Sequence, residues 1–150
     1  MENSERLIDI LLVEDNLGDL RLLEEALEDS KLHLNLSIAR DGQEALDFLN
    51  KQGDYANSPR PDLVLLDWNL PRVKGEEVLS TIKNSENLRH IPVVVLTSSQ
   101  AQEDVLRSYD LHANCFITKP IDFDKFSKIV DAIGGFWFSI VHLPPKVAEA

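Results

Sequence analysis

The stretch DLVLLDWNLP, residues 62–71, runs four apolar residues directly into an aspartate, Asp67, and stops at Pro71. A continuous apolar run of this length, bounded by turn residues, is typical of a parallel strand that is covered on both faces. A carboxylate at the end of such a strand has two interpretations. It either shapes the turn before Pro71, or it serves a site at the edge of a sheet.

Four other short apolar runs alternate with amphipathic segments along the chain. Strands separated by helical patterns indicate βαβ units and therefore a parallel sheet. The second and fifth runs are of mixed polarity, which suits strands near the edges of the sheet. The five predicted strands cover residues 8–13, 34–39, 62–66, 91–96 and 114–118.

Helix and loop signals occupy the intervening segments. Apolar residues at steps of three and four predict a helix over residues 17–29. Asp41 followed by Glu44 is a capping-box pattern, which predicts that another helix begins there. The segment 51–61 contains Gly, Asn, Ser and two prolines, and it indicates a surface loop rather than a domain boundary.

Length and charge limit the class of protein. A chain of 150 residues is expected to form one domain around one core. The net charge of −11 repels phosphate backbones and anionic membranes, so we expect no direct nucleic-acid or membrane partner. No apolar run approaches the roughly 20 residues that cross a bilayer, and no signal peptide is visible, so we expect a soluble, cytoplasmic protein. The lone Cys115 is expected to be a small buried hydrophobe.

Polar residues follow four of the predicted strands. In a doubly wound sheet, ligands bind outside the carboxyl ends of the strands, where these residues would converge. Each has an ordinary alternative as a helix cap, a turn residue or a solvated lysine. If each residue had only its ordinary role, their convergence at one edge of the sheet would require several independent coincidences. The residues are Glu14, Asp15, Asp67, Thr97 and Lys119.

The chemistry of this group is coherent. Crowded carboxylates repel one another, so such a site shares a proton or binds a metal. Mg²⁺ prefers oxygen ligands and is typically held by one or two carboxylates, with waters and phosphate oxygens completing its shell. Lys119 and Thr97 supply a positive charge and a hydroxyl donor for a phosphoryl group. Asp67 is then a candidate nucleophile for phosphoryl transfer.

Five motifs lie at or after the ends of the predicted strands: LLVEDN (11–16), LVLLDWNLP (63–71), KG (74–75), PVVVLTSS (92–99) and CFITKP (115–120). In this order and at this spacing, they resemble the receiver domain of response regulators in two-component signalling. The resemblance implies an α/β fold, a doubly wound, flavodoxin-like, five-stranded parallel sheet in the order 2-1-3-4-5 with helices on both faces. It implies a receiver over residues 1–133 and a C-terminal extension over 134–150, with no separate output domain.

The same resemblance implies how a phosphoryl group arrives. Asp67 is expected to accept it from a phosphohistidine of a sensor histidine kinase. Asp15 and Asp67 are expected to bind Mg²⁺ directly. The backbone carbonyl of Asn69 would complete the protein ligands, and Glu14 would act through water.

Further roles concern the phosphorylated state. Lys119 is expected to contact the phosphoryl oxygens, and Thr97 to form a hydrogen bond with the phosphoryl group. Phe116 is expected to be the switch aromatic that follows Thr97, and the small Ser98 to leave room for the phosphoryl group. Self-dephosphorylation is compatible with this scheme, but a metabolic enzyme is not expected.

Two features are more specific to this chain. Trp68 stands where a smaller aliphatic residue is usual, and a large ring there could alter access to the site. Local matches, including LDWNLP and the long loop 51–61, are similar to the small receivers that work beside bacterial and cyanobacterial phytochromes. The expected sensor kinase is therefore phytochrome-like.

The tail suggests how a receiver without an output domain signals. Only 17 residues follow Ile133, too few for another domain, so protein–protein interaction is expected. Apolar and aromatic residues there predict a homodimer or partner interface with the last helix, although packing within one protomer is the alternative. The predicted interface residues are Phe136, Trp137, Phe138 and Ile140.

Two other functions use similar residues. A haloacid-dehalogenase-like hydrolase also has a strand-end aspartate, Mg²⁺ and a lysine. Its general-acid aspartate is expected two residues after the nucleophile, where this chain has Asn69, so the sequence argues against it. A scaffold receiver that never takes a phosphoryl group is the second alternative, and the complete acceptor, metal and lysine set argues against that.

Overall fold

Five parallel strands form one sheet in the order β2-β1-β3-β4-β5, as predicted. The computed structural model describes residues 8–29, 34–97, 112–113, 115–119, 122, 124, 126–128 and 131. The strands are β1 (Ile8–Val13), β2 (Leu34–Ala39), β3 (Leu63–Asp67), β4 (Val93–Thr97) and β5 (Cys115–Thr118).

The predicted strands agree with the observed ones to within one or two residues. The third and fourth begin slightly later than predicted, and each ends on the polar residue that follows its apolar run. Asp67 is the last residue of β3, and Thr97 is the last residue of β4. These two side chains are therefore positioned by strand backbone rather than by loops.

Three helices and a short 3₁₀ turn connect the strands in the described part of the chain. They are α1 (Leu17–Glu28), α2 (Gly42–Leu49), the 3₁₀ turn (Gly53–Tyr55) and α3 (Gly75–Lys83). After β5, residues 124, 126–128 and 131 are also helical. None of the helices described is long and apolar enough to cross a bilayer.

Apolar side chains pack on both faces of the sheet because alternate strand residues point to opposite sides. One cluster joins Leu12, Leu65 and Leu96 to Leu23 of α1 and Phe126 beyond β5. The other joins residues of the same strands to α2 and α3, and its members include Val13, Leu66, Val95, Phe48, Val78 and Ile82. The sheet is thus covered on both faces, as a doubly wound fold requires.

The N-terminus of α2 is fixed at the same edge of the sheet as Asp67. Asp41 caps the helix, as predicted, by accepting a hydrogen bond from the Glu44 N–H at 2.7 Å. Glu44 accepts in turn from the Arg40 N–H and from the Tyr55 hydroxyl. Only glycine fits at position 42, because a Cβ there would lie 1.8 Å from the Val73 carbonyl oxygen.

Candidate functional site

The acidic residues that follow β1 are not needed to cap α1. That cap is Asn16, whose side chain accepts from the Asp19 N–H at 2.9 Å. Glu14 is completely buried, and its Oε2 accepts from the Asn16 N–H at 3.1 Å. Asp15 is exposed. The capping interpretation is therefore wrong for both residues, and they differ sharply in access to solvent.

Asp67 both shapes the turn before Pro71 and lies at the edge of the sheet where a site is predicted. Its Oδ1 accepts from the Asn69 N–H at 3.1 Å, which is the local side-chain bond of an Asx turn. The residue is only 4% exposed, so the carboxylate is held inside the edge of the sheet. Thr97 on the neighbouring strand is fully buried, and its Oγ1 lies 3.5 Å from the Asn69 side-chain nitrogen. The turn therefore joins the acceptor candidate to the hydroxyl candidate.

Lys119 brings the carboxylates together. It directly follows β5, and its N–H donates to the Thr97 carbonyl oxygen at 2.7 Å. The ammonium Nζ lies 2.9 Å from both Glu14 Oε1 and Asp19 Oδ2. The Oδ2 atom of Asp67 is farther away, at 3.4 Å. One nearly buried ammonium is thus shared by three carboxylates, of which one follows β1, one lies on α1 and one ends β3.

Burial and charge perturb two groups at this edge. Burial raises the pKa of the Glu14 carboxyl to about 7, and the hydrogen bond and charge of Asp67 add to the rise, whereas Lys119 opposes it. Burial by itself lowers the pKa of Lys119. The hydrogen bonds to Glu14 and Asp19, together with the charge of Asp67, outweigh burial and raise it above the ordinary value. The edge has more negative charge than one lysine neutralises.

The oxygen donors of this edge fit a hard divalent cation. Within the described residues, no three Asp, Glu, His or Cys side chains are grouped to hold an ion by themselves. The exposed Asp15 and the strand-end Asp67 offer two carboxylates, and Mg²⁺ needs no more than one or two when waters and carbonyls complete its shell. Burial is the main reason that the pKa of Glu14 is raised, and the neighbouring Asp67 adds to the rise; a cation would relieve the contribution of Asp67.

Trp68, whose effect could not be predicted from the sequence, is 7% exposed and belongs to the core cluster beneath α2 and α3. The backbone N–H of Trp68 donates to the Leu96 carbonyl oxygen at 2.8 Å, and the backbone carbonyl of Trp68 accepts from the Gly75 N–H at 3.2 Å. A Cβ at Gly75 would lie 2.5 Å from the Asp67 carbonyl oxygen. The chain after Asp67 is therefore anchored by packing and cannot move without disturbing the start of α3.

Asp19 is the site residue that the sequence did not single out. It lies on the first turn of α1, four positions after Asp15, and only the contact with Lys119 reveals its place in the group. Other predictions cannot be compared with side-chain positions. Ser98, the side chains of Cys115 and Phe116, and the tail residues Phe136, Trp137, Phe138 and Ile140 lie outside the described residues, as does the predicted boundary at residue 133.

Comparisons with known proteins agree with the fold. The family model for the response regulator receiver domain matches residues 10–131. Response regulator Rcp1 of Synechocystis sp. is 50% identical over 135 residues, which cover 90% of this chain and 92% of Rcp1. The crystal structure of the Mn²⁺-bound form of Rcp1 superposes with a TM-score of 0.82 at 49% identity, covering 92% of this chain and 99% of that one.

Two further solved structures are similar over most of both chains. The phosphorylated cyanobacterial phytochrome response regulator RcpA has a TM-score of 0.85 at 47% identity, and covers 93% of this chain and 100% of its own. The bacteriophytochrome response regulator AtBRR has a TM-score of 0.74 at 52% identity, with 88% and 96% covered. Receivers of this kind are signalling proteins and not metabolic enzymes. By sequence and by fold, the chain belongs to the response regulator receiver family.

Proposed function

We propose that this protein is a phosphorylation-activated response regulator that takes a phosphoryl group on Asp67 and signals by binding another protein. One observation carries the proposal. The Lys119 ammonium lies 3.4 Å from the Oδ2 atom of a nearly buried strand-end carboxylate, with the Thr97 hydroxyl on the adjacent strand. A positive charge and a hydroxyl beside a fixed carboxylate are what a newly transferred phosphoryl group requires.

The chemistry assigned to Asp67 is nucleophilic. A carboxylate oxygen attacks the phosphorus of a phosphohistidine, the P–N bond breaks, and its electron pair stays on the imidazole. The product is a mixed anhydride on Asp67. Lys119 pairs with the phosphoryl oxygens, and the Thr97 hydroxyl donates to one of them. Packing around Trp68 holds the acceptor in place during attack.

Bound Mg²⁺ supplies positive charge that offsets the negative charge of the phosphoryl oxygens. The residues we assign to it are Asp15 and Asp67 as direct ligands, the backbone carbonyl of Asn69, and Glu14 through water. The oxygen donors at this edge and the contribution of Asp67 to the raised pKa of Glu14, which is secondary to burial, support this assignment. A related receiver, Rcp1, has been crystallised with Mn²⁺, which supports a divalent cation in general.

The proposed phosphodonor is a phytochrome-like sensor histidine kinase. The support comes from RcpA and AtBRR, which are named as phytochrome and bacteriophytochrome response regulators and share about half of their aligned residues with this chain. A cytoplasmic location belongs to the same proposal. The hydrolase alternative is weaker because the residue two positions after Asp67 is Asn69, which carries no acidic group.

The acceptor assignment is tested by labelling with acetyl phosphate in the presence of Mg²⁺. The wild-type chain should gain one hydroxylamine-sensitive phosphoryl group, seen as a single mass increment, and Asp67→Asn should gain none. Asp62→Asn is the matched control, because Asp62 is also a nearly buried aspartate of the β3 segment but lies at its other end. Labelling of Asp67→Asn at the wild-type level would mean that another residue is the acceptor.

The metal assignment is tested in the same assay. Excess EDTA should abolish labelling, and added Mg²⁺ should restore it. Asp15→Asn should require a higher Mg²⁺ concentration for half-maximal labelling, whereas the nearby Asn16→Ser, which keeps a helix cap, should not. Labelling that persists in EDTA would remove the metal from the proposed mechanism.

The proposal also includes a receiver over residues 1–133 and an interface formed by the extension 134–150. Replacing Trp137 and Ile140 together by Asp in the full chain should lower the sedimentation-derived mass from dimer to monomer. Phosphorylation of Asp67 should continue, since neither residue belongs to the site. An unchanged mass would instead favour packing of the apolar tail within one protomer.

A further inference from the structure

The position of the Lys119 ammonium is the observation that leads beyond the proposed function. In the proposed mechanism, this lysine serves the phosphoryl group on Asp67. In the structure, its Nζ is closer to Glu14 Oε1 and Asp19 Oδ2, both at 2.9 Å, than to Asp67 Oδ2 at 3.4 Å. The ammonium therefore stands on the α1 side of the site.

Asp19 is held firmly enough to determine that position. Its N–H is bound by the Asn16 cap at 2.9 Å, and the next residue, Leu20, is anchored in the core. A carboxylate in the first turn of a helix also interacts favourably with the helix dipole. Its side chain is 27% exposed, against 10% for Lys119, so the contact lies at the rim of the buried group.

The two acidic partners of Lys119 differ in the cost of losing their contact with its ammonium. Glu14 is completely buried, so its Oε1 has no access to water and would lose its partner at 2.9 Å if the lysine left. Asp19 can exchange the ammonium for water, because part of its side chain faces solvent. Of the two short contacts, the one with Asp19 is therefore the one that is released at lower cost.

We propose that Asp19 is a positioning residue that competes with the phosphoryl group of Asp67 for the Lys119 ammonium. This inference rests on the proposed function. Before phosphorylation, Nζ lies 2.9 Å from Asp19 Oδ2 and 3.4 Å from the acceptor oxygen, so Asp19 has the shorter of the two contacts. After phosphorylation, Nζ leaves Asp19 for the phosphoryl oxygens and keeps its contact with Glu14. Asp19 thus sets how strongly the site retains a phosphoryl group.

Equilibrium binding of beryllofluoride, which coordinates a carboxylate in place of a phosphoryl group, measures this competition directly. With Mg²⁺ present, Asp19→Asn should bind beryllofluoride about threefold to tenfold more tightly than wild type, as expected for release of one partly exposed ion pair. The same variant should unfold at a lower urea concentration in the absence of metal and beryllofluoride. Opposite signs in the free and bound states are not expected from a residue with a merely structural role.

Three further variants serve as controls. Glu25→Gln removes one charge from an exposed position on α1, and should leave beryllofluoride affinity within twofold of wild type. Asp19→Glu keeps the charge and should return the affinity toward the wild-type value. In a Lys119→Met background, Asp19→Asn should have no further effect on affinity, since the shared ammonium is gone.

The outcomes separate this inference from the function on which it rests. If wild type neither binds beryllofluoride nor labels with acetyl phosphate, the proposed function fails, and the inference fails with it. If wild type binds but Asp19→Asn binds equally or more weakly, the function stands and the competition does not exist. Tighter binding that persists in the Lys119→Met background would also overturn the competition, because the effect would not pass through the lysine.

Discussion

The two ends of the neighbouring strands β1 and β3 carry similar residues with different partners. At the carboxyl end, Glu14 and Asp67 share the Lys119 ammonium. Five positions earlier on the same segments, Asp9 and Asp62 form another acidic pair. There, Asp62 Oδ2 accepts from the Asp9 N–H at 3.0 Å, and the Asp62 N–H donates to the Asp9 carbonyl oxygen at 2.7 Å.

The lysines near the two ends differ in the same way. Lys83, which ends α3 near the start of β4, donates to the carbonyl oxygens of Arg89 and Ile91 at 3.1 and 2.8 Å. Burial lowers its pKa. The pKa of Lys119 is raised, because its carboxylate partners outweigh burial. At the amino end, Asp62 and Lys83 form hydrogen bonds with neutral backbone groups, whereas the carboxyl end depends on charges that can be rearranged. Burial of an ionisable group is therefore not enough to identify a site.

The largest expected contrast is between the two lysines. Lys119→Met leaves Glu14 and Asp67 buried without their cation, so we expect a loss of about 3 kcal/mol in the free energy of unfolding at pH 7. Lys83→Met loses two hydrogen bonds but also removes a half-buried charge, so the free energy of unfolding should change by no more than about 1 kcal/mol. Urea unfolding in EDTA measures both. Equal losses would contradict the proposed difference between the two ends.

A second variant disturbs the carboxyl end without changing its charges. The Cβ of Gly75→Ala would lie 2.5 Å from the Asp67 carbonyl oxygen and 2.7 Å from the Trp68 Cα, and these backbone atoms cannot rotate away. We expect the free energy of unfolding to fall by about 2 kcal/mol and labelling by acetyl phosphate to become slower.

Gly18→Ala is its control, since only the Asn16 Oδ1 atom, at 3.3 Å, is close. Helix propensity favours alanine there, so stability should stay within about 1 kcal/mol and labelling should be unchanged. Normal labelling by Gly75→Ala would show that the acceptor tolerates displacement of its own backbone.

Replacing an aspartate by asparagine should change the free energy of unfolding by a smaller amount, on the order of 1 kcal/mol, with opposite signs at the two ends. Asp62→Asn weakens the bond that Asp62 accepts from the Asp9 N–H and should destabilise the protein. Asp67→Asn removes one of the charges that raise the pKa of Glu14, and should stabilise the metal-free protein. Chemical unfolding in EDTA gives both signs. A stabilising Asp62→Asn would show that the amino-end pair is strained as well.

The smallest predicted effect is the alkaline pH dependence of stability. The folded-state pKa of Lys83 lies below its ordinary value of 10.5, so the folded protein loses this proton first and is stabilised as pH rises toward 10.5. The folded-state pKa of Lys119 lies above 10.5, so its contribution is complete below 10.5 and is lost at higher pH.

Urea unfolding of wild type and of each Lys→Met variant between pH 8 and 11 isolates these contributions by difference. We expect the wild-type advantage over Lys83→Met to grow with pH by less than about 1 kcal/mol. The advantage over Lys119→Met should begin to fall only when the pH passes 10.5. Parallel curves for the two lysines would contradict the assigned directions.

Sequence periodicity was sufficient to predict the strands, because buried parallel strands give continuous apolar runs. The residue that ends each run can be read directly from the sequence. Asp67 and Thr97 were found in this way, and Asp41 through its capping pattern. The contrast between Glu14 and Asp15 was not predicted, since it depends on how the chain leaves β1. Asp19 was missed for a related reason. The long side chain of Lys119 selects its partners in three dimensions, and no spacing in the sequence records that choice.

The burial of Trp68 gives this receiver an internal optical probe. Its indole follows the acceptor directly and lies in the core, so its emission depends on the packing immediately behind Asp67. The chain has one other tryptophan, Trp137, and Trp137→Phe would leave a single emitter. Metal binding and phosphoryl transfer could then be followed in real time on the unlabelled protein, with the signal arising one residue from the reacting carboxylate.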